Sequence, residues 1–188
     1  MREIEIKVRL QDKEGMLAAL AGKGVALGEP VRQRDQVFGL PGEVGGDGNT
    51  APWLRVRTET RGQGENETKK RTLFTLKRSV TGQLDSIERE TEVGDPDVMI
   101  AIVKELGFVP FSDLSKTRQT GKLYDIEVCI DSVEGLGDFM ELERLADENA
   151  DPAAITDDLW RIMAELGISR QDEVTDGYDI LMKKLRKQ

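Results

Sequence analysis

The sequence predicts an α+β fold: a β-barrel with charged side chains inside and helices packed outside. Eight segments are strand-like, most of them alternating polar and apolar residues with the two-residue period of a strand, and four others carry helix start and stop signals. The charged strand faces are sorted by sign, with acids on the first and last strands and bases on the middle ones. Closing the sheet into a barrel would bring the two sets face to face. The length of 188 residues predicts one domain over 1–188.

The first strand shows the pattern that the others repeat. In chain order, the strand-like segments are residues 2–10, 32–39, 53–59, 71–80, 86–93, 115–120, 122–131 and 138–145. In the first of them Glu3, Glu5 and Lys7 alternate with branched aliphatic residues, so the three charges share one face. Gly, Asn and Pro punctuate 40–52 and 61–67, and we predict mobile loops there.

Later strands also place charged or polar residues together on one face. These sets are Arg55 with Arg57, Thr75 with Lys77, Lys116 with Arg118, Asp125 with Glu127, Cys129 and Asp131, and Glu141 with Glu143. One interpretation is a two-layer sheet whose charged face is merely solvated. Solvated faces usually mix Thr, Ser, Gln and Lys, so sorting by sign favours a ligand site. Arg and Lys would bind a polyphosphate, and the carboxylates would hold divalent ions that bridge to it.

The helices follow from their capping residues. Asp as N-cap, Pro at the first helical position and Gly after the last turn are typical start and stop signals. They predict helices from Asp12 to Ala21, from Asp95-Pro96 to Gly107, from Asp151-Pro152 to Gly167, and from near Thr175 or Asp176 onward.

Composition excludes several classes of function. The net charge of -9 argues against a nucleic-acid or anionic-membrane surface, and no apolar run reaches the length of a membrane span. The single cysteine, Cys129, cannot form an intrachain disulfide, and the start of the chain lacks a leader pattern, so we expect a cytoplasmic protein. The absence of His excludes zinc sites that use it and Ser-His triads. A hard ion held by carboxylates, Mg²⁺ or Mn²⁺, is the expected metal.

Five stretches, taken in order, resemble a known family. They are Glu3-x-Glu5-x-Lys7, Trp53-Leu-Arg-Val-Arg57, Phe74-Thr-Leu-Lys77, Ser115-Lys-Thr-Arg118 and the run from Ile130 to Glu143. The ordered set resembles the CYTH family, also called triphosphate tunnel metalloenzymes, over nearly the whole chain. This resemblance implies an eight-stranded antiparallel tunnel with helices outside. Outward-facing residues would then include Ile4, Leu54, Leu76, Ile130 and Leu142.

The resemblance also implies the ligand set. Two Mg²⁺ or Mn²⁺ ions would be held by Glu3, Glu5, Glu141 and Glu143, with Asp131 nearby. The triphosphate would be bound by Lys7, Arg55, Arg57, Lys77, Lys116 and Arg118. Among these bases, Lys7, Arg57 and Lys77 are also the expected catalytic residues.

The strand at 86–93 departs from the family pattern. Relatives tend to carry Arg, Glu and Glu at alternate positions, whereas here Glu88, Glu90 and Glu92 alternate and Arg89 lies between them. Either Arg89 faces the interior through a register change and binds substrate, or Glu90 faces inward as a catalytic carboxylate near the metal. We favour Glu90.

The expected function is that of a metal-dependent enzyme acting on a triphosphate compound such as ATP or tripolyphosphate. Residues 34–41 and 133–139 look most like the class IV adenylate cyclase-like (CyaB-like) branch, although Val37-Phe38 replaces its common Tyr-Phe pair. Conversion of ATP to cyclic AMP and pyrophosphate is therefore the first expectation. The alternatives are an inorganic, nucleoside or thiamine triphosphatase, and a non-catalytic polyphosphate-binding or nucleotide-binding module. A homodimer is compatible with the resemblance.

Overall fold

Eight antiparallel strands close into a barrel, and four α-helices lie around it. The computed structural model describes residues 1–43, 51–62, 69–82 and 84–186. The strands are β1 Arg2–Arg9, β2 Val31–Gly39, β3 Trp53–Arg61, β4 Lys69–Gly82, β5 Asp85–Val93, β6 Val109–Leu123, β7 Ile126–Val133 and β8 Gly137–Ala146. The helices are α1 Lys13–Gly22, α2 Pro96–Glu105, α3 Pro152–Glu165 and α4 Tyr178–Leu185, with a short 3₁₀ turn at Arg170–Asp172.

The strand order around the barrel is β1-β5-β4-β3-β2-β6-β7-β8, and β8 pairs again with β1. This closed antiparallel sheet with outer helices confirms the predicted α+β barrel. Closure turns one face of every strand inward, so side chains two residues apart on one strand reach the same interior.

The outward faces form two apolar cores under the helices. One packs β1, β7 and β8 residues such as Ile4 and Ile130 against Leu20 of α1 and Met163 of α3. The other packs strand residues, Leu54 among them, against α2. The predicted outward direction of these aliphatic residues is confirmed, because the helices cover them. The charged alternates are thereby left on the inner face.

A third apolar cluster lies where α4 meets one end of the barrel. Leu114, Val133 and Phe139 are buried there against Tyr178, the first residue of α4. The Phe139 and Tyr178 rings meet edge to face with centroids 5.0 Å apart. Helix α4 therefore covers part of that end.

The N-terminal capping predictions hold for the first three helices, and Gly107 and Gly167 follow α2 and α3 with positive φ, whereas α1 runs one residue past its predicted end, to Gly22. Asp12, Asp95 and Asp151 are N-caps whose carboxylates accept backbone N–H groups of the first turn, and Pro96 and Pro152 begin α2 and α3. Helix α4 has Gly177 as its N-cap and starts at Tyr178, two to three residues beyond the predicted start near Thr175 or Asp176.

Two strand predictions are wrong in their bounds. Strand β6 begins at Val109, well before the predicted 115, because an extended segment that contains a proline pairs with β2 at a bulge. The segment 122–131 is divided by a hairpin turn, where Tyr124 adopts a positive φ of 58°. Asp125 therefore lies in the turn, exposed, and not on the inner face of β7. The loops predicted at 40–52 and 61–67 fall mainly on residues outside those that the structure describes.

Among the described residues, no helix has the length and apolar character needed to span a membrane.

The seam between β1 and β5 is the shortest of the barrel. Three residue pairs join these strands, whereas eight join β1 to β8. Across the seam the buried Arg2 guanidinium donates to both carboxylate oxygens of Asp85, at 2.6 and 2.7 Å. Burial raises the pKa of Asp85, but hydrogen bonds from Arg2 and Thr81 outweigh it, so the net pKa is lowered. This buried ion pair therefore joins β1 to β5 where the barrel closes with the fewest paired residues.

We predict that Asp85→Asn lowers the free energy of unfolding at pH 7 by about 3 kcal/mol, because it leaves Arg2 buried without its counter-ion. Since the folded pKa of Asp85 is lowered, its contribution is present above the unfolded pKa of about 4 and is lost as pH falls through the folded pKa. Urea unfolding across this range measures the difference, which should shrink with acid.

The matched control is Asp113→Asn, which removes the same bidentate pairing with Arg34 on the exposed surface. That change should cost less than about 1 kcal/mol. Equal losses for the two variants would contradict a special role for the seam.

Candidate active site inside the barrel

The barrel encloses a cavity of about 720 Å³ whose walls are mainly charged. The acids that line it include Glu3, Glu5, Glu88, Glu90, Glu141 and Glu143, and the bases are Lys7, Arg55, Arg57, Arg61, Lys77, Lys116, Arg118 and Arg71. The structure therefore brings into one interior most of the predicted site residues. Strand register explains the placement, since Glu5 lies opposite Glu143 and Lys7 opposite Glu141 on β1 and β8.

Three carboxylates form a close cluster on the acidic wall. Ligand oxygens of Glu5, Glu141 and Glu143 lie within 4.8 Å of one another. Burial and the neighbouring carboxylates, opposed by Arg118, raise the pKa of Glu143 to about 8, and burial with Glu141 raises the pKa of Glu5. Burial opposes ionisation of Glu141 too, but Arg118 and Lys7 hold its pKa well below the usual range. Crowded carboxylates of this kind fit a hard divalent cation.

Glu3 lies beside this cluster but pairs with a base. Its carboxylate accepts from Lys77 Nζ at 2.8 Å. Burial raises the pKa of Glu3, whereas Lys77 and Arg55 lower it by more, so the net pKa is lowered. Lys77 also contacts Glu88. The predicted metal ligand Glu3 is thus positioned between the cluster and the basic wall.

Asp131 has a structural role that the sequence did not reveal. It is fully buried and is not among the residues that line the cavity. Its oxygens accept from Lys116 at 2.8 Å and from Arg118 at 2.6 and 2.7 Å, and the Tyr178 hydroxyl donates to it at 3.0 Å. With both oxygens engaged, Asp131 is a counter-ion that holds two bases in place. The expectation that Asp131 joins the metal ligands stays a prediction, and its contacts with the two bases favour the counter-ion role.

Arg118 and Lys7 connect the two walls. Arg118 donates to Glu143 at 3.0 Å and also contacts Glu141. Lys7 Nζ lies 3.3 Å from Glu141 and 3.7 Å from Glu5. These bases therefore face both the carboxylate cluster and the space where an anion would lie.

Arg55 and Arg57 lie two apart on β3 and differ in their partners. Arg57 makes a bidentate pair with Asp35, both contacts at 2.6 Å. Arg55 has only a 3.3 Å hydrogen bond to Thr75 and a 3.5 Å contact with Glu90. Its buried Nε has no hydrogen-bond partner among the described residues. A buried guanidinium with an unused donor is suited to binding an anion.

The alternative at β5 is resolved in favour of Glu90. Glu90 lines the cavity and accepts from the Thr75 hydroxyl at 2.7 Å. The Arg89 side chain is 69% exposed and lies 3.8 Å from Glu148 on the outer surface. Register explains this, because Arg89 pairs with outward-facing Leu76 and Glu90 with Thr75. The prediction that Arg89 binds substrate is therefore wrong.

Cys129 is buried with its sulfur 3.4 Å from Glu143. Burial first, and Glu143 next, raise the pKa of the thiol well above its ordinary value. A thiol held in this protonated form is a poor nucleophile.

Several interior residues were missed by sequence reasoning. Asp35 pairs with Arg57, buried Gln33 donates to Glu59 at 2.8 Å, and Tyr178 places its ring 4.6 Å from Lys7 Nζ. The odd positions of β2 include the polar residues Gln33 and Asp35, which are typical of a polar strand face. Its even positions are also polar, with Arg32, Arg34 and Gln36, so alternation did not show which face turns inward.

Comparison with known proteins places the chain among proteins of similar fold and sequence. A family model described as the CYTH domain matches residues 1–178. A protein of Methanocaldococcus jannaschii, named as a candidate adenylate cyclase, is 30% identical over 181 residues, which cover 95% of this chain and 97% of that protein. A Pyrococcus horikoshii structure matches with a TM-score of 0.77 and 27% identity over 94% of this chain and 97% of its own.

A more distant structure shows the same fold. It comes from Hippeastrum, with a TM-score of 0.61 and 17% identity over 100% of this chain and 97% of its own. That protein is described as a candidate adenylyl cyclase with a dominant triphosphatase activity.

Asp131 and Glu143 should respond to neutralisation in different ways. We predict that Asp131→Asn lowers the free energy of unfolding by about 3 kcal/mol, because Lys116 and Arg118 lose a buried counter-ion. Its Mn²⁺ affinity should stay within about threefold of wild type, whereas Glu143→Gln should weaken Mn²⁺ binding about tenfold or more, since it removes a carboxylate ligand. Urea unfolding and Mn²⁺ titration by electron paramagnetic resonance measure both. Equal loss of Mn²⁺ binding in the two variants would contradict this difference and identify Asp131 as a metal ligand.

Proposed function

The chain belongs to the CYTH domain family, and from this premise we propose that it is a metal-dependent enzyme acting on a triphosphate compound, with ATP as its first candidate substrate. One observation carries the proposal. A cluster of three carboxylates and a wall of buried and half-buried bases face the same cavity, and two of those bases, Arg118 and Lys7, contact the cluster. A polyphosphate with its divalent cations needs both kinds of group at one place.

The basic wall would bind the phosphates. Arg55 offers its unused donor, Arg57 and Arg118 supply positive charge while their guanidinium groups are held by carboxylates, and Lys77 and Lys116 act as compact charges. The cavity volume of about 720 Å³ is in the range of small-molecule sites. Because these bases are already held by carboxylates such as Asp35 and Asp131, they are positioned before the substrate arrives.

The acidic wall would hold Mg²⁺ or Mn²⁺, with two ions expected. Glu5, Glu141 and Glu143 are the proposed ligands, with Glu3 adjacent. When bound, such ions offset the charge of the phosphate oxygens and polarise them.

The reaction we place first is cyclisation of ATP. The ribose 3′-oxygen forms a bond to the α-phosphorus, the bond from that phosphorus to the bridging oxygen breaks, and pyrophosphate leaves with the bond's electron pair. The hydroxyl proton needs an acceptor, and we assign it to Glu90, whose carboxylate faces the cavity 3.5 Å from Arg55. The M. jannaschii protein, named as a candidate adenylate cyclase, supports this order.

Hydrolysis of a terminal phosphate is the second candidate. Polar side chains, including Glu59, Arg71, Thr120 and Glu127, line the end of the cavity away from Trp53, a setting in which water can reach a terminal phosphorus. In that reaction the water oxygen bonds to the phosphorus, the bridging bond breaks, and the proton leaves with the solvent. The lining suits tripolyphosphate, a nucleoside triphosphate or thiamine triphosphate.

A product assay distinguishes the candidates. We expect wild-type protein with Mn²⁺ and ATP to form cyclic AMP and pyrophosphate in equal amounts, detected by ³¹P NMR and chromatography. Phosphate release from ATP or tripolyphosphate without cyclic AMP would reject cyclisation and support a triphosphatase. Glu90→Gln should reduce turnover by about 10²-fold or more if the carboxylate accepts the proton.

The control is Glu92→Gln, which changes an exposed acid on the same strand. It should leave turnover unchanged. Tight binding of ATP and tripolyphosphate with no turnover in Mg²⁺ or Mn²⁺ would contradict an enzyme and identify a binding module.

A further inference from the structure

Strand β3 carries an aromatic side chain in line with its inward-facing arginines. Trp53, Arg55 and Arg57 are successive odd positions, and all three line the cavity. Trp53 lies opposite Lys77 in the β3–β4 register, with its ring centroid 5.8 Å from Lys77 Nζ. An indole therefore follows directly after the proposed phosphate-binding bases, at the end of the barrel where β2 and β4 end.

Apolar residues adjoin Trp53 on the side of β2, opposite the charged side chain of Lys77 on β4. Leu40 follows β2 and Pro52 precedes β3, and because these strands pair up to Phe38 and Leu54, both residues lie at the end of the cavity where Trp53 begins β3. Val37 lines the cavity below the rim, beside Arg55 in the strand register. We name Trp53, Leu40, Pro52 and Val37 the Trp53 rim.

Inorganic tripolyphosphate has no group that gains from contact with these residues. A polyanion is solvated by water or paired with bases, and burying it against apolar carbon is unfavourable. An aromatic heterocycle joined to the phosphates would gain, because its faces stack on an indole and displace water from the aliphatic residues. The adjacent Lys77 ammonium also favours a neutral base over a cationic ring.

We infer that the Trp53 rim is a subsite for the nucleobase of a nucleoside triphosphate. The inference rests on the proposed function, because it places the phosphates of the same ligand on Arg55, Arg57 and Lys77. The base stacks on Trp53 at the rim, and the triphosphate extends inward along β3. Trp53 then gives the site its preference for a nucleotide over inorganic tripolyphosphate.

Binding measurements in EDTA test the subsite without turnover. Trp53→Leu, which keeps apolar bulk but removes the aromatic face, should weaken ATP binding about tenfold, the lower part of the range for base stacking. Tripolyphosphate binding should change by less than about twofold, because the bases that bind it remain. Trp53→Phe should recover most of the ATP affinity. Isothermal titration calorimetry gives the dissociation constants.

A spectroscopic readout reports contact directly. Trp160 belongs to the outer core, so Trp160→Phe leaves Trp53 as the sole tryptophan. ATP should quench the fluorescence of this variant, and tripolyphosphate should quench it far less.

Three results would overturn the subsite. They are equal weakening of ATP and tripolyphosphate by Trp53→Leu, no weakening of either, and equal quenching by both ligands. Wild-type protein that binds tripolyphosphate without these Trp53 effects would refute the subsite alone. Wild-type protein that binds neither ligand, even when Mg²⁺ or Mn²⁺ replaces EDTA, would refute the proposed function as well.

Discussion

Compensation of buried charge is the constraint on which the rest of this structure depends. The barrel turns its charged faces inward, and ions removed from water are costly unless each has a partner. Asp131 shows the solution most clearly, since one fully buried carboxylate accepts hydrogen bonds from Lys116, Arg118 and Tyr178. Because buried ion pairs contribute little net stability, the fold depends on the apolar cores under its helices. The interior of the barrel thus holds the charged groups, and the apolar cores between the outer strand faces and the helices supply the stability.

The charged side chains of the interior are not all paired equally well, and the poorly paired ones indicate where a ligand would bind. Arg57 is fully paired with Asp35, whereas its neighbour Arg55 keeps a buried donor without a partner. On the opposite wall Glu5, Glu141 and Glu143 crowd together, and their repulsion with burial raises two of the three pKa values. An anion would relieve the first imbalance and a divalent cation the second. A metal-bound polyphosphate supplies both charges in one ligand.

Much of this arrangement was predictable because a strand has a period of two. Strand-like segments identified all eight strands, alternation gave the inward direction of Glu3, Arg55 and Lys116, and Asp-Pro and Gly marked helix ends. What alternation cannot supply is register and partner choice. Arg89 and Glu90 belong to a run in which both faces are charged, so only pairing with β4 decides which one faces inward. Asp131 lies on the predicted face, but its engagement by two bases depends on β6 lying beside β7. Tyr178 comes from a distant helix, with no local signal in the sequence.

The central claim is that polyphosphate binds to the inward bases of the barrel, and calorimetric titration with tripolyphosphate tests it most directly. Arg55→Ala and Arg89→Ala remove the same charge from opposite faces of the sheet. We predict one site per chain in wild type, about tenfold or greater weakening in Arg55→Ala, and a change within about twofold in Arg89→Ala, because a charge-assisted hydrogen bond contributes about 1.5–3 kcal/mol. Equal affinities for the two variants, or greater weakening in Arg89→Ala, would contradict binding inside the barrel.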